Sequence, residues 1–221
     1  GYVVCSPGTH RELIARVAHR TGARCVAIDY RLAPEHPFPA AIEDAQRAFL
    51  ELLQDVPRER LFVAGDSAGG GLGMSLLLTL RDAGDPLPAG AFLMSPWVDQ
   101  TMSGASMATN EPTDYLNPRV LKVFSRYYLG DVDPTHPVAS PVFADLSGLP
   151  PILLQAGGAE ILCSEVQTLG ARALEAGVQV TLDVEPSGFH VYQSFGYLLP
   201  KSRAALKRAG AWMRTTMTPT Q

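Results

Sequence analysis

Cysteine is scarce in this chain. Cys5, Cys25 and Cys163 are odd in number, far apart, and outside any C-x-x-C or Cys/His ligand spacing. That excludes a disulfide framework and leaves no zinc signature, so the three read as small buried hydrophobes in a reducing compartment, a cytoplasmic expectation. No apolar run approaches the length of a membrane span, and no basic segment precedes a cleavable apolar stretch, so stable membrane insertion is not expected. Lys/Arg runs are absent as well. With a net charge of -4, the chain offers no basic footprint for nucleic acid or an anionic membrane. Metal ligands at recognisable spacing are missing too. What remains is a partner of another kind, a neutral small molecule.

The 221 residues are 46% hydrophobic and 18% charged, enough for one sizeable core, and a single domain over 1–221 is expected. Leu13, Ile14, Val17 and Ala18 recur at helical spacing, with Thr9 before them and Gly22 after. Cys25-Val26-Ala27-Ile28 has the look of a short buried strand leading into a Pro-rich loop. Ile42, Ala45, Phe49 and Leu52 mark a second helix. Leu61 to Ala64, Ala91 to Met94 and Ile152 to Gln155 fit buried strands, whereas Val178, Val180, Leu182 and Val184 alternate with polar residues as a half-exposed strand would. Strands alternating with helices predict an α/β fold with a mainly parallel sheet covered on both faces. Residues from about 99 to 130 form a polar excursion followed by a helix around Val120, Val123, Phe124 and Tyr127. Asp29 and Arg31 are expected to form a structural polar network at a strand end.

Gly65-Asp66-Ser67-Ala68-Gly69 is a G-x-S-x-G pentapeptide between a strand and a helix, the setting of the nucleophile elbow in α/β-hydrolases. So sharp a turn projects the Ser67 hydroxyl above the strand ends. The Ala68 amide, at the start of the helix, is then placed to donate to an oxyanion. A serine hydroxyl needs a base, and in this fold the acid and the histidine follow the serine in the chain. His136 and His190 both lie downstream; His190, just after the last strand, is better placed. The loop after Ile152–Gln155 contains one carboxylate, Glu160, which is the expected acid. Glu165, already at the next helix, reads as a charge favouring that helix N-terminus. A Glu160 oxygen is expected within reach of His190 Nδ1, roughly 2.6–3.2 Å. Trp97 and Phe189 are candidates to line a substrate pocket.

Taken together, Asp29-Tyr30-Arg31-Leu32-Ala33-Pro34-Glu35, Gly65-Asp66-Ser67-Ala68-Gly69-Gly70 and Ser95-Pro96-Trp97 resemble the bacterial hormone-sensitive-lipase-like esterases, over nearly the whole chain. Ser6 to Arg11, Pro37 to Ala41, Ser140-Pro141 and Gly148 to Pro151 add to the resemblance. It implies hydrolysis of short-chain acyl esters through an acyl-enzyme, with no cofactor, beneath a cap made largely from an N-terminal segment. Glu160-Ile161-Leu162 matches the subgroup in which glutamate stands where the family commonly has aspartate. Dimers in the family often form through the last strand, which here is the segment around Val178 to Val184.

The chain departs from the family at its beginning. Gly1-Tyr2 matches only the last two residues of the H-G-G-G-[YF] loop that supplies oxyanion donors, leaving Gly1 as the candidate beside Ala68. The strand leading into that loop would precede Gly1, so the functional molecule is expected to be longer, or another segment to fill the place. Two other readings stay open. One is a non-catalytic α/β-hydrolase-like protein that binds a small ligand in the same cleft; the other is amide or lactone hydrolysis by the same acyl-enzyme chemistry.

Overall fold

The computed structural model describes residues 1–217. In chain order its elements are α1 (Arg11–Thr21), α2 (Ala40–Leu52), β1 (Phe62–Asp66), α3 (Ala68–Ala83), β2 (Gly90–Met94), α4 (Ser106–Thr109), α5 (Pro118–Leu129), β3 (Ile152–Gly157), α6 (Cys163–Glu175), β4 (Val180–Glu185) and α7 (Pro200–Met217). The four strands pair in the order β1-β2-β3-β4, all parallel. Parallel strands need crossovers, and α3 and α6 supply two of them. This is the α/β-hydrolase arrangement expected from the alternation of elements.

The central strands are buried at every position because both faces are covered. Ala91 and Leu93 of β2, with Ile152 and Leu154 of β3, pack against Met74, Leu77 and Leu78 of α3 and Val166 and Leu169 of α6. Phe92, Met94 and Leu153 face the other way, onto Leu13 and Val17 of α1 and Leu206 and Ala209 of α7. The two-residue side-chain period thus sends alternate residues into two cores. A third cluster joins α2, α3 and α5 around Ile42, Phe49, Leu76, Leu121 and Tyr128. Among the described residues, no helix is long and apolar enough to cross a membrane.

Several sequence expectations are corrected here. Residues 23–30 belong to no helix or strand, and Cys25, Val26 and Ala27 are exposed, so this segment is not a buried strand. Its apolar composition suits a strand, but burial depends on neighbours that pair with it, and none of the described residues does. Cys5 is also exposed, leaving Cys163 as the buried cysteine. The α5 helix turns its Leu121, Ser125, Tyr128 and Leu129 face inward, whereas Val120, Val123 and Tyr127 face out. Arg31 bonds Asp44 at 2.9 Å and Glu43 at 3.0 Å; Asp29 takes no part in that network. β4 lies at an edge of the sheet, but its burial does not follow the expected alternation: Leu182 is exposed while Asp183 is partly buried.

Gly65 is the penultimate residue of β1, where the chain folds back tightly. A Cβ there would collide with the backbone carbonyl of Gly69, which cannot yield as a flexible side chain would. Gly65→Ala is therefore expected to destabilise the protein by about 2–4 kcal/mol, the range of severe overpacking. Chemical denaturation should show a lower midpoint with an unchanged slope; a wild-type midpoint would contradict this account of the turn.

Candidate active site

Ser67 stands between β1 and α3 with φ 53° and ψ -123°. For a non-glycine residue this is a strained conformation, and neighbouring structure holds it in place. Its N–H donates to Met94 O at 2.9 Å, and its carbonyl accepts from Gly71 N at 3.0 Å and Trp97 N at 2.9 Å. The turn is thus bolted to the end of β2 and the segment after it. A Cβ at Gly71 would overlap the Trp97 carbonyl, so the close approach of α3 to that segment requires glycine. Held in this way, the side chain points off the strand ends, and its Oγ lies 2.9 Å from His190 Nε2.

His190 arrives from the loop after β4. That loop is laced to the one after β3 by main-chain bonds, Gly158 N to Glu185 O at 2.7 Å and Ala159 N to Gly188 O at 2.9 Å. Glu160 lies in the β3 loop, fully buried. Its Oε2 accepts from Ser95 Oγ at 2.6 Å and from Gly157 N at 3.0 Å. Ser95 Oγ in turn accepts from Val191 N at 3.1 Å, so one hydroxyl ties the carboxylate to the residue after His190.

The expected Glu160–His190 bond is not formed. Among the described residues, Glu160 Oε1 and His190 Nδ1 are both buried without a hydrogen-bond partner. The other oxygen, Oε2, is occupied by Ser95 and Gly157, which fixes the carboxyl through that side. Burial sets the protonation of both groups toward neutrality. It pushes Glu160 up to about 8, against the pull of the Ser95 and Gly157 hydrogen bonds, and takes His190 down to about 4, against the nearby negative charges of Asp114 and Asp66.

The remaining candidates fall in different places. Ala68 opens α3, where its N–H has no carbonyl within the helix to take it, beside the Ser67 hydroxyl. Gly1 lies beside Phe124, whose ring a Cβ at that position would meet. Trp97 is fully buried, with Nε1 donating to Asp99 O at 3.0 Å and its ring 6.1 Å from Tyr2, so it is a core residue with no face open to a pocket. Phe189 is half-buried in an aromatic group with Tyr115, 6.0 Å away, and Phe195, 5.0 Å away. Tyr115 also lies 6.0 Å from the His190 ring. Glu165 is an interior group, not a surface charge at a helix start: its Oε1 accepts from Val98 N at 2.8 Å, and burial pushes its carboxyl well above the ordinary range.

Sequence reasoning missed Ser95, Asp114, Asn110 and His10. Ser95 belonged to a recognised tripeptide but carried no assigned role. His10 precedes α1, and its Nε2 lies 3.3 Å from Asp66 Oδ2, beside the turn that carries Ser67. Among the described residues, no group of three or more His, Cys, Asp or Glu side chains is arranged to hold a metal.

The α/β-hydrolase fold family matches residues 1–194. An acetyl-hydrolase of Streptomyces hygroscopicus is 44% identical over 216 residues, covering 97% of this chain and 72% of its own. An esterase of Acinetobacter venetianus is 35% identical, covering 91% of this chain and 67% of its own. Among solved structures, an esterase of the bacterial hormone-sensitive lipase family superposes with a TM-score of 0.96 at 42% identity, over 98% of this chain and 74% of that one.

Proposed function

We propose, for a chain that belongs to the α/β-hydrolase family and is a hormone-sensitive-lipase-like serine esterase, that hydrolysis of short-chain acyl esters runs through Ser67, His190 and Glu160. The observation that carries this reading is the 2.9 Å contact between Ser67 Oγ and His190 Nε2 at a strained strand-to-helix turn. Ser67 Oγ attacks the ester carbonyl as Nε2 takes its proton. The oxyanion of the tetrahedral intermediate forms beside the start of α3, where the Ala68 N–H is free to donate, with Gly1 as a second donor. His190 then returns the proton to the leaving alcohol. In the second half it takes a proton from water, which attacks the acyl-Ser67 ester and releases the carboxylic acid. Phe189 and its aromatic neighbours border the substrate, and no cofactor enters the chemistry.

Glu160 is the acid in this reading. A bond between Oε1 and Nδ1 would satisfy two buried orphan atoms at once, and such bonds commonly tighten only when substrate is bound. When His190 becomes imidazolium, the adjacent carboxylate is favoured and the pair holds one proton between them.

Assays with p-nitrophenyl esters of increasing acyl length, beside a p-nitroanilide and a lactone, test the substrate class. Short esters are expected to turn over fastest. Binding of these esters without turnover would favour a ligand-binding protein, and faster lactone or anilide cleavage would reassign the substrate.

The pH dependence has a definite sign. The base must be neutral, and burial holds His190 at about 4, so activity should be lost only as pH falls toward that value. The acid limb of kcat/KM in Glu160→Gln, where the neighbouring carboxyl cannot titrate, is therefore expected below the unperturbed histidine value of about 6.5. A limb at or above that value would contradict the buried environment described for His190.

The single catalytic domain and a cytoplasmic location extend this reading. So does a homodimer through the β4 edge, where an exposed strand offers unpaired backbone groups. Light scattering of a monomer would remove the dimer.

A further inference from the structure

Asp114 lies in the polar excursion between α4 and α5, far in sequence from every residue assigned above. Its two carboxylate oxygens are divided between two loops. Oδ1 accepts the backbone N–H of His190 at 3.2 Å, and Oδ2 accepts that of Ile161, next to Glu160, at 2.9 Å. The same excursion grips the acid loop from its carbonyl side. Asn110 Nδ2 donates to Gly158 O at 3.0 Å and to Glu160 O at 2.9 Å, and Thr113 Oγ1 donates to Ala159 O at 3.0 Å. Every residue from Gly158 to Ile161 is therefore bonded to the excursion, and Asp114 carries the hydrogen bonding on to the main chain of the histidine.

We propose that Asp114 is a positioning residue for the esterase reaction: one carboxylate that fixes the His190 loop to the Glu160 loop and so holds the imidazole in line between Ser67 and its acid. The inference rests on the assignment of Ser67, His190 and Glu160 made above. A hydrogen-bonded carboxylate suits the task because each of its two oxygens accepts from the N–H of a different loop, whereas an amide has an acceptor oxygen on one side and a donor NH2 on the other. Its charge also bears on the reaction. Of the groups around the imidazole, Asp114 and Asp66 at the end of β1 favour the imidazolium, Asp114 the more strongly. Glu160 is buried on the adjoining loop, and the uncharged Tyr115 ring lies against the histidine. Asp114 thus acts on His190 both through the main chain and through its field.

The test compares Asp114→Asn and Asp114→Ala with the parent chain. Asparagine keeps the size but turns an NH2 toward one of the two N–H groups and removes the charge. In both variants, kcat for p-nitrophenyl acetate should fall about tenfold to a hundredfold, the scale of a catalytic group displaced by an ångström, with KM nearly unchanged. The acid limb of the profile should move to lower pH. Counting competent sites by fluorophosphonate labelling of Ser67 separates positioning from folding. If kcat per labelled site and the acid limb both match the parent, any lost activity is lost fold and the proposal is overturned. Asp145→Asn, at an exposed carboxylate bonded only to Ser147, should change neither. Titration of the His190 imidazole by NMR decides the matter without turnover: Asp114→Asn should lower its midpoint, and an unchanged midpoint overturns the proposal. Ser67→Ala in the same series keeps the outcomes apart, since hydrolysis surviving there would fault the nucleophile assignment and not the Asp114 clamp.

Discussion

Ser67→Ala is expected to lower kcat for p-nitrophenyl acetate by about 10⁶, the loss seen when a serine hydrolase is deprived of its nucleophile. The fold should survive the change. Ser67 is the N-cap of α3, but its side chain makes no capping hydrogen bond, so no helix-end partner is lost. The hydroxyl touches the His190 ring at 2.9 Å, whereas the turn is held by main-chain bonds to Met94, Gly71 and Trp97 that alanine keeps. Alanine tolerates the positive φ about as poorly as serine, so the strain stays where it was. Melting temperature should shift little while turnover disappears. Wild-type hydrolysis by the variant would mean that another residue attacks the ester.

Glu160→Gln is the second large effect, with an expected loss of about 10⁴ in kcat, as when a triad acid becomes an amide. The side chain is fully buried, and its Oε2 holds Ser95 Oγ and Gly157 N. Glutamine oxygen can take over both bonds, which turns the NH2 toward the position now filled by Oε1. That group cannot accept from Nδ1, and it carries no charge to stabilise the imidazolium. Rate is lost without loss of packing. Because burial already pushes the Glu160 carboxyl up to about 8, a neutral amide should leave stability at neutral pH unchanged or slightly higher. Glu165→Gln can keep the acceptor for Val98 N and should leave kcat near wild type. The opposite ranking of these two variants would move the acid to Glu165.

The contrast between local and distant signals explains what the sequence disclosed. The nucleophile turn is legible because its strand, glycines, serine and helix are contiguous. Glu160 and His190 could be singled out by their places after β3 and β4, since the fold orders its loops along the chain. Burial was harder to read. Residues 120–129 carry apolar side chains on more than one face, and the stripe through Val120, Val123 and Tyr127 is the exposed one. Cys25 to Ile28 is strand-like in composition, yet composition says nothing about whether a neighbour pairs with it. Trp97 was offered to a pocket because it follows a strand end, and the core of Tyr2 and Tyr128 has claimed it.

Ser95 and Asp114 were out of reach for another reason. Their partners lie 65 and 76 residues away in sequence. A lone polar residue in a loop has no periodicity and no fixed spacing to announce such a bond. The three-dimensional arrangement shows the Glu160 and His190 loops fastened twice, by Ser95 and by the Asn110 to Asp114 segment. That fastening suits a buried histidine that must stay aligned while its proton moves from serine to alcohol and from water to serine.

The most direct test of the central claim is to catch the acyl-enzyme. The protein is mixed with p-nitrophenyl acetate, quenched in acid within the first turnovers, digested and mapped by mass spectrometry. The account predicts one acetyl group, on the peptide containing Gly65 to Gly69 and localised to Ser67 by fragmentation, with none in Ser67→Ala and a slowly filling population in Glu160→Gln. Acetyl found on another residue, or ester turnover at the full rate with Ser67 never modified, would contradict it.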